Sequence, residues 1–280
     1  MTCTSSKVIV PSIVVIFLAV FCKGAPQFRV AENTPENIAR LQNLKPWELA
    51  EELSGQFEGD MILTEEQYRE MHSRNGMIDE RYRWPQNVVF FEIEEEWFTR
   101  DQILHIRMGM KTIERVTCIR FQQRDPDQSD YIRIHGDGTG CSATVGHVGG
   151  RQNIKLQPYP VGTGCFRMGT IVHEIIHGLG FRHMQSTYNR DEYVEIVWEN
   201  ITPGTENNFR LYDSNVLTNF GTEYDYGSVM HYSSTAFSIN GEKTIVALQE
   251  TDEVMGQRVG MSEKDILKIN RMYNCTRHNI

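Results

Sequence analysis

The stretch "HEIIHGLGFRH", residues 173–183, decides how this sequence is read. Three of the chain's 9 histidines fall within it. Each residue of an α-helix turns about 100°, so four steps return to the same face. His173 and His177 therefore project together, one turn apart. Two imidazoles so placed reach one zinc ion at about 2.0–2.1 Å each. Glu174 lies on the neighbouring face, where it hydrogen-bonds a water without being a ligand. Gly180 permits the left-handed conformation that ends a helix, and the chain then brings His183 back as a third ligand. Three protein ligands leave the fourth position of a tetrahedral zinc free for solvent, which distinguishes a catalytic site from a structural one. The expected cofactor is one Zn(2+) per chain. His72, His105, His135, His147 and His278 are scattered and read as structural or surface residues. His231 stands apart only through its neighbours, "YDYGSVMHY" at 224–232.

Bulk properties set the frame. The 280 residues are 40% hydrophobic and 23% charged, as in an ordinary globular protein. A net charge of -9 argues against nucleic acid or an anionic membrane as the partner. The N-terminus has a processed layout. Lys7 precedes the apolar run "VIVPSIVVIFLAVF" at 8–21, and small residues follow at Cys22 and Gly24. The run is shorter than the roughly 20 residues of a membrane span and contains Pro11. Residues 1–24 are thus expected to be a signal peptide, and the product to be secreted and extracellular. Cys3 and Cys22 leave with it. Cys118, Cys141, Cys165 and Cys275 remain, which in an oxidising compartment implies two disulfides, with three pairings open. Asn200-Ile-Thr and Asn274-Cys-Thr are possible N-glycosylation sites.

Residues 25–74 hold no cysteine and are polar, with short helical patches such as "TEEQYREMH". The composition changes near "RYRWPQNVVFFEI". Between them, Arg74-Asn75 lies in the polar link "HSRNGM", a sensible place for an activating protease to cut. The expected organisation is a propeptide at 25–74 and a mature domain at 75–280. Residues 88–93 read as a strand. Thr99 and Gln102 form a capping-box pattern ahead of Ile103, Ile106, Met110 and Ile113 at helical spacing. Strands are expected near 118–121 and 131–134, and loop or irregular edge strand across "GDGTGCSATVGHVGGRQ". A helix begins near Met168. Ser262 and Asp265 cap a last helix whose Ile266, Ile269 and Tyr273 share a face. Few, mixed elements indicate an α+β domain.

The long zinc motif followed by a tight turn at Met230 is the metzincin arrangement. In more detail the chain resembles an astacin-type metalloprotease, through "GTIVHEIIHGLGFRH", "NRDEYV", "SVMHY" and "GQRVGMSEKDILKIN". The resemblance implies a two-lobed zinc protease domain with a mixed N-terminal sheet, an active-site helix and a C-terminal helix. It implies the disulfides Cys118–Cys275 and Cys141–Cys165. It implies that Met230 floors the metal site, and that Tyr232 alternates between metal ligation and transition-state stabilisation. "FEGD" at 57–60 resembles the family's inhibitory motif, so Asp60 is the expected propeptide ligand that blocks the zinc. Where the family usually carries a glutamate after the third histidine, this chain has Met184. That puts in doubt the coupling between propeptide removal and full activity.

The function these residues imply is hydrolysis of peptide bonds in protein or peptide substrates, with Glu174 as general base and the chain's own propeptide as inhibitor. An extended substrate is expected to lie along a sheet edge. The family often favours an acidic residue just after the cut, but the sequence does not identify the arginine that would select it. An inactive relative that keeps zinc for shape, acting as a secreted binding protein, is the alternative. Retention of His173, Glu174, His177, His183 and Tyr232 together speaks against it. A matrixin-like protease would carry a cysteine switch in its propeptide, and residues 25–74 contain no cysteine.

Overall fold

The computed structural model describes residues 50–72, 80–214 and 218–276. Residues 1–24, expected as a signal peptide, the Arg74–Asn75 link and His278 lie outside them. A six-stranded sheet dominates the N-terminal lobe, in the order β1-β5-β6-β4-β2-β3. Its strands are β1 (Met61–Ile62), β2 (Val88–Ile93), β3 (Arg120–Gln123), β4 (Tyr131–His135), β5 (Cys141–Thr144) and β6 (Arg151–Leu156). β2 pairs in parallel with β3 and β4, and β4 with β6. β5 runs antiparallel to β6, and β1 parallel to β5.

The glycine-rich stretch corrects one expectation. Its centre is a regular four-residue strand, β5, and its glycines lie outside that strand. β5 also has neighbours on both sides, because Met61 and Ile62 pair with Ala143 and Thr144. Without those two residues β5 would be the edge of the sheet.

Four α-helices lie wholly within the described residues: α1 (Glu65–His72), α2 (Arg100–Glu114), α3 (Met168–Gly178) and α4 (Glu263–Met272). α2 begins at the capping box read from Thr99 and Gln102, and α4 at the one read from Ser262 and Asp265. α1 has its own, made by Thr64 and Gln67. α2 packs against α3, and Gly109 is the point of closest approach. A Cβ there would stand 2.6 Å from Ile171 Cγ2.

Apolar burial follows the two lobes. One core joins the sheet, α2, α3 and α4 through Val89, Ile106, Ile113, Ile134, Ile154, Ile171, Ile175 and Ile269. The other gathers Val194, Ile201, Phe209, Tyr224, Phe237 and Ile245 around a small antiparallel pair. Its strands are β7 (Val194–Ile196) and β8 (Ile245–Ala247). The disulfides are Cys118–Cys275 and Cys141–Cys165. The first spans 157 residues and ties the segment before β3 to the end of α4. Closing a loop of that length removes roughly 5 kcal/mol of freedom from the unfolded chain. Among the described residues no helix is long and apolar enough to cross a membrane.

α3 is pinned at both ends. At its start, Gly169 N–H donates to the carbonyl of Arg258 at 3.1 Å. Carbonyls at a helix end lack intrahelical partners, and here they find others. His177 O accepts from Gly146 N–H and Gly180 N–H, Gly178 O from the Trp84 indole, and Leu179 O from the Tyr273 hydroxyl. Gly180 sits at φ +105°, a conformation that suits glycine, and the chain turns there toward His183.

The start of α3 yields a test. A Cβ on Gly169 would lie 2.1–2.2 Å from the Arg258 backbone. Gly169→Ala should therefore destabilise the fold by about 1–3 kcal/mol, as overpacking does. A thermal melt would read this as a fall in Tm of several degrees, and an unchanged Tm would refute the close contact.

Candidate metal centre and active site

α3 carries His173, Glu174 and His177 into the cleft between the lobes, and the turn after Gly180 brings His183 to the same place. All four side chains are completely buried. Asp60, preceding β1 and also buried, arrives from the opposite side. Its Oδ2 is 3.1 Å from His173 Nε2, and its Oδ1 is 3.1 Å from His183 Nε2 and 3.4 Å from His177 Nε2.

The outer partners fix which nitrogen of each ring carries hydrogen. His173 Nδ1 donates to Val229 O, and His177 Nδ1 to Phe181 O, both at 2.8 Å. His183 Nδ1 donates to Glu58 Oε2 at 2.9 Å. With hydrogen on Nδ1, each neutral ring presents a lone pair at Nε2. The Nε2 atoms of His173 and His177 then face each other at 3.1 Å. Two lone pairs at that distance repel unless a cation lies between them. Asp60 Oδ1 and His183 Nε2 are buried without a hydrogen-bond donor, as the same geometry requires. Three imidazole nitrogens and one carboxylate oxygen, all within 4.8 Å of one another, suit one metal ion. The N3O donor set and spacing match tetrahedral zinc, whose ligand atoms stand about 3.3 Å apart.

The carboxylates around the rings also act on their charge, each ring differently. Burial opposes charge on His183, yet Asp60 and Glu58 overcome it and raise its pKa to about 9. Burial depresses His177 to about 4. Burial would also raise Asp60, but His183 and His177 hold it well below the usual carboxylate range. Glu174 behaves differently. Burial first, then the charges of Asp60 and Glu51, lift it well above its ordinary value. Both its oxygens are buried without a partner. It is a carboxyl group held beside the metal cluster with its proton-binding atoms unused.

Met230 is buried, and its carbonyl accepts from Met184 N–H directly after His183. The turn residue before it, Val229, supplies the acceptor for His173. The same turn thus holds the backbone beside one histidine and the ring of another. Tyr232 packs its ring 4.6 Å from that of His183, and its hydroxyl donates to Glu58 O at 2.6 Å. His231 lies behind it, between the Tyr224 hydroxyl and Tyr232 O.

The other singled-out residues lie elsewhere. His147 pairs with Asp130 at 3.1 Å. His105 and His135 lie away from the cluster, and His135 is buried. Asn274 is exposed at a left-handed turn. Asn200 is half-buried, with its amide bonded to Lys243 O and Asn240.

Three contacts escape a reading of the sequence. Arg258, buried beside the start of α3, is held by Glu51 through Nε–Oε1 at 2.7 Å and Nη2–Oε2 at 2.6 Å. Despite burial, Arg258 keeps Glu51 below the usual carboxylate range. Glu58 caps His183 and accepts from Tyr212. Lys268, buried in α4, donates to Met184 Sδ at 3.0 Å. The spacing of the acids in 51–60 carries no periodic signal, and their partners are more than a hundred residues away.

Comparison with known proteins adds the following. The sequence model described as Astacin, a peptidase family, matches residues 76–274. Seminal metalloprotease 1 of Drosophila melanogaster is 41% identical over 229 residues, covering 81% of this chain and 89% of that protein. Meprin A subunit beta of Mus musculus is 39% identical over 223 residues, which cover 79% of this chain and 29% of that protein. Among solved structures, high choriolytic enzyme 1, a hatching enzyme zinc-protease from Oryzias latipes, superposes with a TM-score of 0.63 at 37% identity. That match covers 69% of this chain and 94% of the other.

The converging lone pairs predict tight metal uptake that depends on all three rings. Purified chain should carry one zinc by elemental analysis, and His183→Ala should lower zinc affinity by several orders of magnitude. A variant retaining full stoichiometry under mild chelation would refute the cluster as the binding site.

Proposed function

The chain belongs to the astacin family of zinc metalloendopeptidases, and from that premise we propose that it is a secreted protease made as a zymogen. In this reading residues 1–24 are the signal peptide, 25–74 the inhibitory propeptide and 75–280 the mature protease. Cutting at Arg74–Asn75 releases activity. His173, His177 and His183 hold one zinc, and Asp60 fills the remaining position until the propeptide leaves. The two disulfides and the exposed Asn274 suit an oxidising, glycosylating compartment.

The observation that carries the mechanism is Glu174, a buried carboxyl group with no partner beside four converging ligand atoms. Bound zinc supplies a Lewis acid that lowers the pKa of its water toward about 7. Glu174 receives the proton of the attacking water and passes it to the leaving nitrogen. The Tyr232 hydroxyl, freed from Glu58 O, donates to the oxyanion that develops on the scissile carbonyl. A substrate strand takes the edge of β5 that Met61 and Ile62 occupy here, with main-chain hydrogen bonds supplying much of its affinity.

Arg258 is the residue through which a preference for acidic side chains acts. In the uncut chain Glu51 neutralises it with two charge-assisted hydrogen bonds. Once Glu51 departs, a buried guanidinium is left uncompensated, which is costly until another carboxylate replaces it. An acidic substrate residue meets that need.

Two measurements test this reading. Glu174→Gln should keep its zinc and lose turnover by at least about a thousandfold, the scale of a missing general base and its positioning. Retained proteolysis in that variant would rule out the assignment. In activated enzyme, Arg258→Ala should lower kcat/KM for peptides with an acidic residue after the cut by roughly tenfold or more. Peptides with a neutral residue there should change far less, and an equal loss on both would remove Arg258 as the selector.

A further inference from the structure

Glu58 lies between Phe57 and Gly59, two residues before Asp60, and is completely buried. Burying a lone carboxylate is costly unless donors surround it. Here they do. Oε2 accepts from His183 Nδ1 at 2.9 Å and from Ser186 Oγ at 3.4 Å. Oε1 accepts from the Tyr212 hydroxyl. The Glu58 carbonyl also accepts from Tyr232, as described above. The Arg182 guanidinium lies 5.0 Å over the Tyr212 ring and adds positive potential to the same corner.

The backbone is bent to reach this placement. Glu58 has φ +46°, a left-handed conformation uncommon for a residue with a Cβ, and Gly59 follows at φ +86°. Such local strain persists where the surroundings over-determine it. The turn is closed by Gly59 N–H to Gln56 O at 3.1 Å and by Met61 N–H to Phe57 O at 2.9 Å. The bend lets Glu58 and Asp60 enter the cleft together, one to the outer nitrogen of His183 and one to its inner nitrogen.

We propose that His183 Nδ1, Ser186 Oγ and Tyr212 Oη form a carboxylate-binding subsite beside the third histidine, and that Glu58 occupies it in the uncut chain. The proposal rests on reading residues 50–72 as part of an inhibitory propeptide. Glu58 is then a positioning residue. It keeps the hydrogen of His183 on Nδ1, turns Nε2 toward the metal position and draws Tyr232 onto its own carbonyl. Asp60 blocks the metal, and Glu58 locks the ring and the tyrosine beside it. When the segment departs, three donors are left converging on one point. A carboxylate suits them better than a neutral amide, because it accepts at both oxygens and is the stronger acceptor.

The test uses the full uncut chain loaded with zinc and reads the rate at which a chelator strips the metal. Glu58→Ala should strip about tenfold faster than wild type or more, the worth of lost charge-assisted bonds. Added propionate should fill the space left by the side chain and restore slow stripping. Propionamide should not, and Tyr212→Phe in the Glu58→Ala background should abolish the rescue. The near-isosteric Glu58→Gln should also strip faster, which guards against a folding defect in the alanine variant. Wild-type stripping rates in both Glu58 variants, or equal rescue by propionamide, would overturn the subsite. Asp60→Ala separates the two readings. If it strips fast while the Glu58 variants do not, the zinc block by the propeptide stands and the subsite falls. If the Glu58 variants strip fast and propionate rescues while Asp60→Ala does not strip fast, the subsite stands and the zinc block falls.

Discussion

Four hydrogen-bond acceptors, three imidazole nitrogens and one carboxylate oxygen, converge on one point in the cleft, and none of them has a hydrogen to share with the others. This constraint organises the rest of the molecule. It arises because each imidazole hydrogen is already committed outward, to Val229 O, Phe181 O and Glu58. The inner nitrogens are left bare, and a divalent cation turns their repulsion into coordination. The arrangement needs helix α3 to be held rigidly, since a turn of either histidine would part the lone pairs. Hence the hydrogen bonds at both helix ends, from Gly169 to Arg258 and from Gly146, Trp84 and Tyr273 to the last carbonyls. The Met230 turn serves the same end, because the loop that orients His173 also holds the backbone after His183.

The segment at 50–62 answers this centre with three carboxylates, each on a different target. Glu51 meets Arg258, Glu58 meets His183 and Tyr212, and Asp60 meets the inner faces of the three rings. Gly140 makes room for its first turn, for a Cβ there would lie 2.4 Å from Ala50 O. Each of these acids is matched by a cation or by donors. Glu174 is the exception, and it is the group to which the proposed proton transfer is assigned. All four carboxyl groups are buried. Compensation is what separates Glu51 and Asp60, held low, from Glu174, which is raised.

Much of this is legible in the sequence, for reasons that can be named. The histidine pair is visible because helical periodicity converts a spacing of four into a shared face, and the third histidine because Gly180 marks where the helix must stop. The capping boxes at Thr99 and Ser262 are local, so they read directly. Strand β5 is hidden because its flanking glycines mask a four-residue element stabilised by neighbours on either side. The second lobe gives little signal, since its strands are three residues long and its remaining elements are single 3-10 turns. The roles of Glu51, Glu58 and Arg258 depend on pairings across 125 to 207 residues, which no local pattern encodes.

Met184 shows how a departure from the family pattern gains meaning from its surroundings. Its side chain lies in a cavity of about 100 Å³ that Lys268 and Asp265 also line. Lys268 donates to the Met184 sulfur, a weak acceptor, and burial lowers its pKa although Asp265 and Asp225 pull the other way. Asp265 is itself committed, to Ser228, Val229 and Ser262. Position 184 thus offers a buried cation a weak sulfur acceptor in place of a carboxylate. The coupling between the segment at 50–62 and the metal centre runs through side chains that touch both: Asp60 at the inner nitrogens, Glu58 at the outer nitrogen of His183, and Glu51 at the arginine whose carbonyl anchors α3.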